Sequence, residues 1–190
     1  MALVSDAFTY EVTPNIWAAA MRRAAIRIHK EYERDTRLSE AQRMEKIAVG
    51  YAGEFAFGTW AKQQMLAVQY LGETIGTGPD NGDFLSENKI IIDVKTQEVA
   101  YPPKDDWRCE VTDDQSNRPA NIYVFAKLYP SKQHSLLYLL GWMNKTDFFV
   151  TATFREPGTI LKNKPVHYSK WDVTINMLQP LTELQKLLTI

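Results

Sequence analysis

The sequence predicts an α/β chain, a mixed β-sheet with helices packed against it. Three observations carry this. Two stretches near the N-terminus combine helix-start chemistry with apolar residues at helical spacing. Short apolar and β-branched runs then follow between residues 83 and 142, separated by turn residues. Leu178 to Leu188 returns to an amphipathic helical pattern after Pro180. Such an order buries its apolar faces by laying helices on one sheet. With 190 residues, 45% of them hydrophobic, and no repeat or composition break, a single domain spanning 1–190 is long enough to build a core.

Thr13-Pro14 suits a helix start, with Thr as cap and Pro at the first helical position. Trp17, Met21, Ala24, Ile28 and Tyr32 form a stripe at helical spacing to about residue 33, and Arg22, Arg23, Arg27 and Lys30 lie off it, read as a solvated face. Ser39-Glu40-Ala41-Gln42 is a capping-box pattern that begins a second helix, predicted to reach Met65 or Tyr70. Gly50, Gly53 and Gly58 interrupt it, each costing about 1 kcal/mol relative to Ala, so they need a reason. Glu54 has Gly50, Tyr51, Phe57, Gly58 and Ala61 as its helical neighbours, a small apolar face suited to close packing on a sheet. That face turns the Glu54 carboxylate inward.

Gly72 to Gly82 is rich in turn signals but lacks the Gly-Lys-Ser/Thr of a phosphate loop. Asp83-Phe84-Leu85 starts a strand, Ser86 to Lys89 makes a hairpin turn, and Lys89 to Thr96 returns. Residues 101–119, broken by Pro102, Pro103 and Pro119, read as a long polar excursion. Asn121 to Leu128 and Leu136 to Trp142 are interior strands joined across 131–135. Phe148 to Phe154 fits a short helix or strand equally. Val166-His167-Tyr168 and Val173-Thr174-Ile175 read as short strands.

Composition excludes several classes. No run of about 18 apolar residues suggests a transmembrane helix, and Met1 to Tyr10 lacks the pattern of a signal peptide, which points to a cytoplasmic setting. Cys109 is the single cysteine, so intrachain disulfides and thiolate zinc sites are excluded. His29, His134 and His167 are scattered and read as surface or packed imidazoles. No serine elbow, Cys/His nucleophile arrangement or dinucleotide fingerprint is present. The net charge of −1 rules out a uniformly basic molecule, but charge is segregated. Residues 73–114 hold eleven Asp/Glu against four Lys/Arg, and residues 127–170 hold seven Lys/Arg against two Asp/Glu. An acidic centre beside a basic stretch suits a metal cleft next to a phosphate-tracking surface, unless it is ordinary solvated charge.

The chemistry concentrates in Pro79-Asp80-Asn81-Gly82-Asp83-Phe84-Leu85 and Ile90-Ile91-Ile92-Asp93-Val94-Lys95-Thr96. On a strand, Asp93 and Lys95 share a face, with Cα atoms about 6–7 Å apart. A carboxylate and an ammonium on a core strand are costly to desolvate, and function is the usual reason such a cost persists. A buried salt bridge, with Asp83 serving only the turn, would leave Glu54 unexplained.

Helical Glu54, Asp83 at the head of a strand, and Asp93-Val94-Lys95 at the end of the next resemble the PD-(D/E)xK nuclease superfamily over about residues 40–145. The resemblance implies the restriction-endonuclease-like fold, an αβββαβ core, here with an extra N-terminal helix. It implies a Mg²⁺- or Mn²⁺-dependent nuclease cutting phosphodiester bonds, of DNA first, by an activated water. Asp83 and Asp93 would be metal ligands, with Asp80, preceded by proline, as the fallback for the first. The Val94 carbonyl would supply another oxygen, and Glu54 a further ligand or an anchor for water. Lys95 would position the attacking water and neutralise phosphate charge. Gln97 shares the face of Asp93 and Lys95 and becomes a possible substrate contact, alongside Tyr101, Trp107 and Arg108 in the excursion. The same fold also serves as a non-catalytic nucleic-acid-binding or assembly module, which is the competing reading. Related enzymes often act as dimers, so the resemblance allows a homodimer, although no interface stripe is visible. Small size without a recognition domain suggests a repair, phage or mobile-element enzyme by analogy alone.

Overall fold

The computed structural model describes residues 1–31, 38–72, 82–131, 134–161 and 163–189, with backbone alone at 29–31. A 3₁₀ turn (Val4–Asp6) leads into β1 (Phe8–Val12), α1 (Pro14–Glu31), α2 (Glu40–Gln63), β2 (Val68–Tyr70), β3 (Phe84–Ser86) and β4 (Ile91–Glu98). There follow β5 (Arg108–Thr112), a 3₁₀ turn (Asp113–Gln115), β6 (Ile122–Tyr129), β7 (Ser135–Asn144), α3 (Lys145–Thr151), β8 (Thr153–Arg155), β9 (Ile160–Leu161), β10 (Lys164–Pro165) and β11 (Lys170–Thr174). A last 3₁₀ turn (Ile175–Met177) precedes α4 (Leu181–Leu188).

The fold is mixed α/β. Its main sheet runs β1-β7-β6-β4-β3-β2, antiparallel throughout except where β4 and β6 pair in parallel. The alternation of β4 and β6 divides the core in two. Ile92, Val94, Ile122, Val124, Ala126 and Leu128 face α2 and α4. Tyr123 and Phe125 face the opposite layer, where Cys109 and Val111 of β5, Val173 of β11 and Phe148 of α3 close over them. There β5-β11-β8 forms a second small sheet.

α2 begins at the predicted capping box: Ser39 Oγ accepts from Gln42 N–H at 3.3 Å, and Gln42 Oε1 accepts from Ser39 N–H at 2.9 Å. Ile47, Ala48 and Tyr51 pack against Ala20, Ala24 and Ile28 of α1, while Val49, Ala52, Ala56, Phe57 and Trp60 pack on the sheet. The helix is thus a buried middle layer, which explains its small residues. Gly53 meets β4 closely, since a Cβ there would lie 1.8 Å from Thr96 Oγ1. Gly58 faces Phe84 at ordinary contact distance, and a Cβ added at Gly50 would meet nothing within 4 Å beyond its own stretch of helix, so close packing does not explain that glycine.

Several expectations are corrected. The second helix stops at Gln63, because Met65 takes a left-handed φ of 54° and Val68 to Tyr70 instead pair with β3. Parallel β4 and β6 require a crossover, and the αβββαβ core places a helix there. Residues 99–121 carry no α-helix but β5 and a 3₁₀ turn, because Arg108 to Thr112 pair with β11. The excursion at 101–119 is therefore partly built structure. Residues 148–154 split into the end of α3 and the start of β8. Val166 to Tyr168 lie outside any strand, and Ile175 opens a 3₁₀ turn. β1, unforeseen, forms a sheet edge on β7. Tyr32, the whole of 73–81, and residues 132–133 of the 131–135 connection fall outside the described residues. Among the described residues no helix is long and apolar enough to cross a membrane.

Candidate functional site

Even-numbered residues of β4 enter the α2 layer, so the odd ones face the opposite way, as the strand period requires. Asp93 and Lys95 therefore share a face, and their side chains meet: Lys95 Nζ lies 2.6 Å from Asp93 Oδ2, each side chain 10% exposed. Asp93 stands in register with Tyr123 on β6, and the Lys95 ammonium sits 5.6 Å from the centroid of that ring. Asp93 charge adds to burial in pushing the Tyr123 phenol up. The Tyr123 hydroxyl is itself buried with no hydrogen-bond partner among the described residues.

Asp83 is fixed by the end of β3. Its N–H donates to Ile92 O at 2.9 Å and its carbonyl accepts from Leu71 N–H at 2.8 Å. Its carboxylate Oδ2 accepts from Val94 N–H at 2.6 Å, beside the last strand pair, Phe84 with Ile92. The side chain thus takes a ladder position that backbone would otherwise fill, one residue from Asp93. This is how Val94 joins the site, through its amide.

Glu54 follows Gly53 on α2 and is buried at 6% exposure. The close approach that Gly53 permits brings this turn of α2 against β4. Tyr70 of β2 donates its hydroxyl to Glu54 Oε2 at 2.5 Å, and Arg23 of α1 donates to the Tyr70 oxygen at 2.6 Å.

The three carboxylates lie in one another's field. Burial, reinforced by Asp93, pushes Glu54 up to about 7, against the opposing pull of Tyr70, Arg27 and Arg23. Burial, then Glu54 and Asp93, pushes Asp83 well above the usual carboxylate range, although the Val94 amide and Lys95 oppose it. Lys95, Arg23 and Arg27 oppose the negative charge of the three carboxylates, and a cation among the carboxylates would neutralise it directly. The donor set is all carboxylate oxygen, the chemistry that hard Mg²⁺ or Mn²⁺ takes. Among the described residues no three His, Cys, Asp or Glu side chains already stand in metal-holding geometry. Lys95 and the Val94 amide hold Asp93 and Asp83 instead.

The other expected residues divide. Asp80 lies outside the described residues. Gln97 does not project into the site: its Oε1 accepts from Lys127 Nζ, a buried ammonium that also donates to Arg108 O at 2.6 Å. Trp107 packs into the second core, and its carbonyl accepts from Ile175 N–H at 2.9 Å, so it anchors the excursion. Arg108 pairs with the fully buried Asp172 carboxylate, which Arg155 also binds at 3.1 Å. Tyr101 is exposed. The basic stretch is largely engaged within the fold. Arg155 holds Asp172, Lys170 pairs with Glu110, and Lys145 donates to Arg118 O at 2.7 Å. Among the described residues of 127–170, these side chains are held within the fold and do not line an open phosphate track.

Four residues near the site were not expected from sequence: Tyr70, Arg23, Arg27 and Tyr123. Arg23 belongs to the face read as solvated, and nothing local marks it. The one signal for Tyr70 is Gly72 two positions on, where a Cβ would lie 2.3 Å from the Tyr70 hydroxyl. Comparison with family models, curated proteins and solved structures returns no match to this chain.

Proposed function

We propose that the protein is a divalent-metal-dependent nuclease that hydrolyses phosphodiester bonds, of DNA first. The observation that carries this reading is the Asp93–Lys95 pair on one face of β4, with Asp83 docked on the intervening Val94 amide. Glu54 adds a third carboxylate in the same field. The residue order and local geometry support membership of the PD-(D/E)xK superfamily, with the strand-containing crossover as a departure from its core.

Asp83, Asp93 and Glu54 would hold the cation, Mg²⁺ or Mn²⁺. Bound there, it would supply charge neutralisation at the phosphoryl oxygens and a water of lowered pKa. Asp93 would then exchange part of its pairing with Lys95, which frees the ammonium. Lys95 can donate to a water beside the scissile phosphate, orient it for in-line attack and balance the charge that develops on phosphorus-bound oxygen. Asp83 stays anchored through Val94, so one edge of the site is fixed while the other rearranges.

The test is purified protein with plasmid and linear DNA in Mg²⁺ or Mn²⁺. Cleavage lost in both Lys95→Ala and Asp93→Ala, with circular dichroism unchanged, is the expected result. Cleavage that survives both substitutions removes these residues from the chemistry. The second reading, a non-catalytic binding or assembly module, draws on the pairing of Lys95 with Asp93 and predicts DNA binding without cleavage under every metal condition.

A further inference from the structure

The N-terminal helix α1 lies outside the αβββαβ frame, yet Arg23 and Arg27 bring it to bear on Glu54. The Arg23 guanidinium lies 4.9 Å from the ring centroids of both Phe55 and Tyr70 and 5.9 Å from that of Tyr51. Three aromatic faces thus fix its position. Arginine has only donors, and a phenol has a single proton. Because Arg23 donates to the Tyr70 oxygen at 2.6 Å, the Tyr70 proton must go to Glu54 Oε2, 2.5 Å away. The direction of this chain of hydrogen bonds is therefore fixed, and each link polarises the next.

Three separate elements supply its members: α1, β2 and α2. The backbone makes room for it, since a Cβ at Gly72 would meet the Tyr70 hydroxyl at 2.3 Å and its Cζ at 2.5 Å. A cation thereby acts on Glu54 through a phenol, besides the direct pull of the Arg27 and Arg23 charges on the carboxylate. The hydroxyl relay sets the orientation of the carboxylate.

We propose that Arg23 and Tyr70 are positioning residues that hold the Glu54 carboxylate for a divalent cation shared with Asp83 and Asp93, so that α1 forms part of the active centre. This rests on the metal-dependent reading of the site. It is the geometry of second partners that orient metal ligands, whose removal costs about 10–100-fold in metal affinity.

The experiment measures Mn²⁺ binding to the full metal-free chain, without nucleic acid, by calorimetry and by the electron paramagnetic resonance signal of free Mn²⁺. Tyr70→Phe is expected to weaken binding about 10-fold or more, and Arg23→Gln to shift it in the same direction. In the Glu54→Gln background Tyr70→Phe should cause no further loss, because it acts through Glu54. A tyrosine that merely packs would lower both backgrounds alike. If Tyr70→Phe does not fold by circular dichroism, the same cycle with Arg23→Gln decides the matter, since Arg23 is only partly buried. Wild-type Mn²⁺ affinity in Tyr70→Phe and Arg23→Gln, with weakened affinity in Glu54→Gln, overturns the positioning role alone. Wild-type affinity in both Glu54→Gln and Asp93→Asn overturns the metal site itself, and the positioning role with it.

Discussion

Replacing Glu54 by glutamine should stabilise the metal-free protein. The side chain is buried, and burial followed by Asp93 raises its carboxyl from 4.5 to about 7. Glutamine keeps the volume and can still accept the Tyr70 hydroxyl, so the substitution removes charge with little loss of packing. The folded state holds the Glu54 proton more tightly than the unfolded chain does. The penalty is therefore absent below about pH 4.5, grows as pH rises through the interval, and is complete above about 7. At about 1.4 kcal/mol per tenfold, the interval corresponds to about 3 kcal/mol at full ionisation. For a chain of this size that is a rise in Tm of about 6–12 °C. The assay is thermal and urea unfolding of both proteins in chelator at about pH 5 and about pH 8. The gain should approach the full value at the higher pH and fall to under about 1 kcal/mol at the lower. Saturating Mg²⁺ should then stabilise the wild type more than the variant, because only the wild type keeps all three carboxylates. A Glu54→Gln protein no more stable than wild type at the higher pH, or a gain of equal size at both, would refute a desolvated carboxylate standing near Asp93.

Two further outcomes follow from the packing. Gly53→Ala should destabilise the protein by about 1–3 kcal/mol, since the added Cβ would lie 1.8 Å from Thr96 Oγ1 and 3.0 Å from Thr96 Cβ, so that the Thr96 side chain or the helix must shift. Urea denaturation measures that loss, and cleavage assays should show activity falling with it as Glu54 is displaced; an unperturbed Gly53→Ala would mean that α2 does not sit so close. Cys109 is 1% exposed and burial pushes its thiol up to about 11, so thiol reagents should leave the native protein unlabelled near pH 8 and modify it only in denaturant. Rapid labelling of the native chain, read by mass spectrometry, would contradict the closed second core.

Much of the frame was legible in sequence. The Ser39 capping box, the stripe from Trp17 to Ile28, the hairpin around Ser86 to Lys89 and the apolar runs of β6 and β7 each carry their pattern locally. The Asp93–Lys95 pair was readable for the same reason, because strand alternation alone puts them on one face. Short strands were not. Val68 to Tyr70 and Phe8 to Val12 hold too few residues for a period to show, and they are strands because β3 and β7 offer them partners. Arg108 to Thr112, inside a polar excursion, is a strand because β11 pairs with it.

What the chain by itself determined was therefore the set of groups within one element: which helices begin where, and that an acid and an amine share one strand face. Only the tertiary structure decided what those groups meet. It spent Gln97 on Lys127 and Arg108 on Asp172, and it brought Arg23 and Tyr70 to Glu54. Local periodicity follows from backbone geometry and repeats every few residues. A hydrogen bond between residues 47 apart, such as Arg23 to Tyr70, depends on how whole layers stack, and no short window of sequence records that.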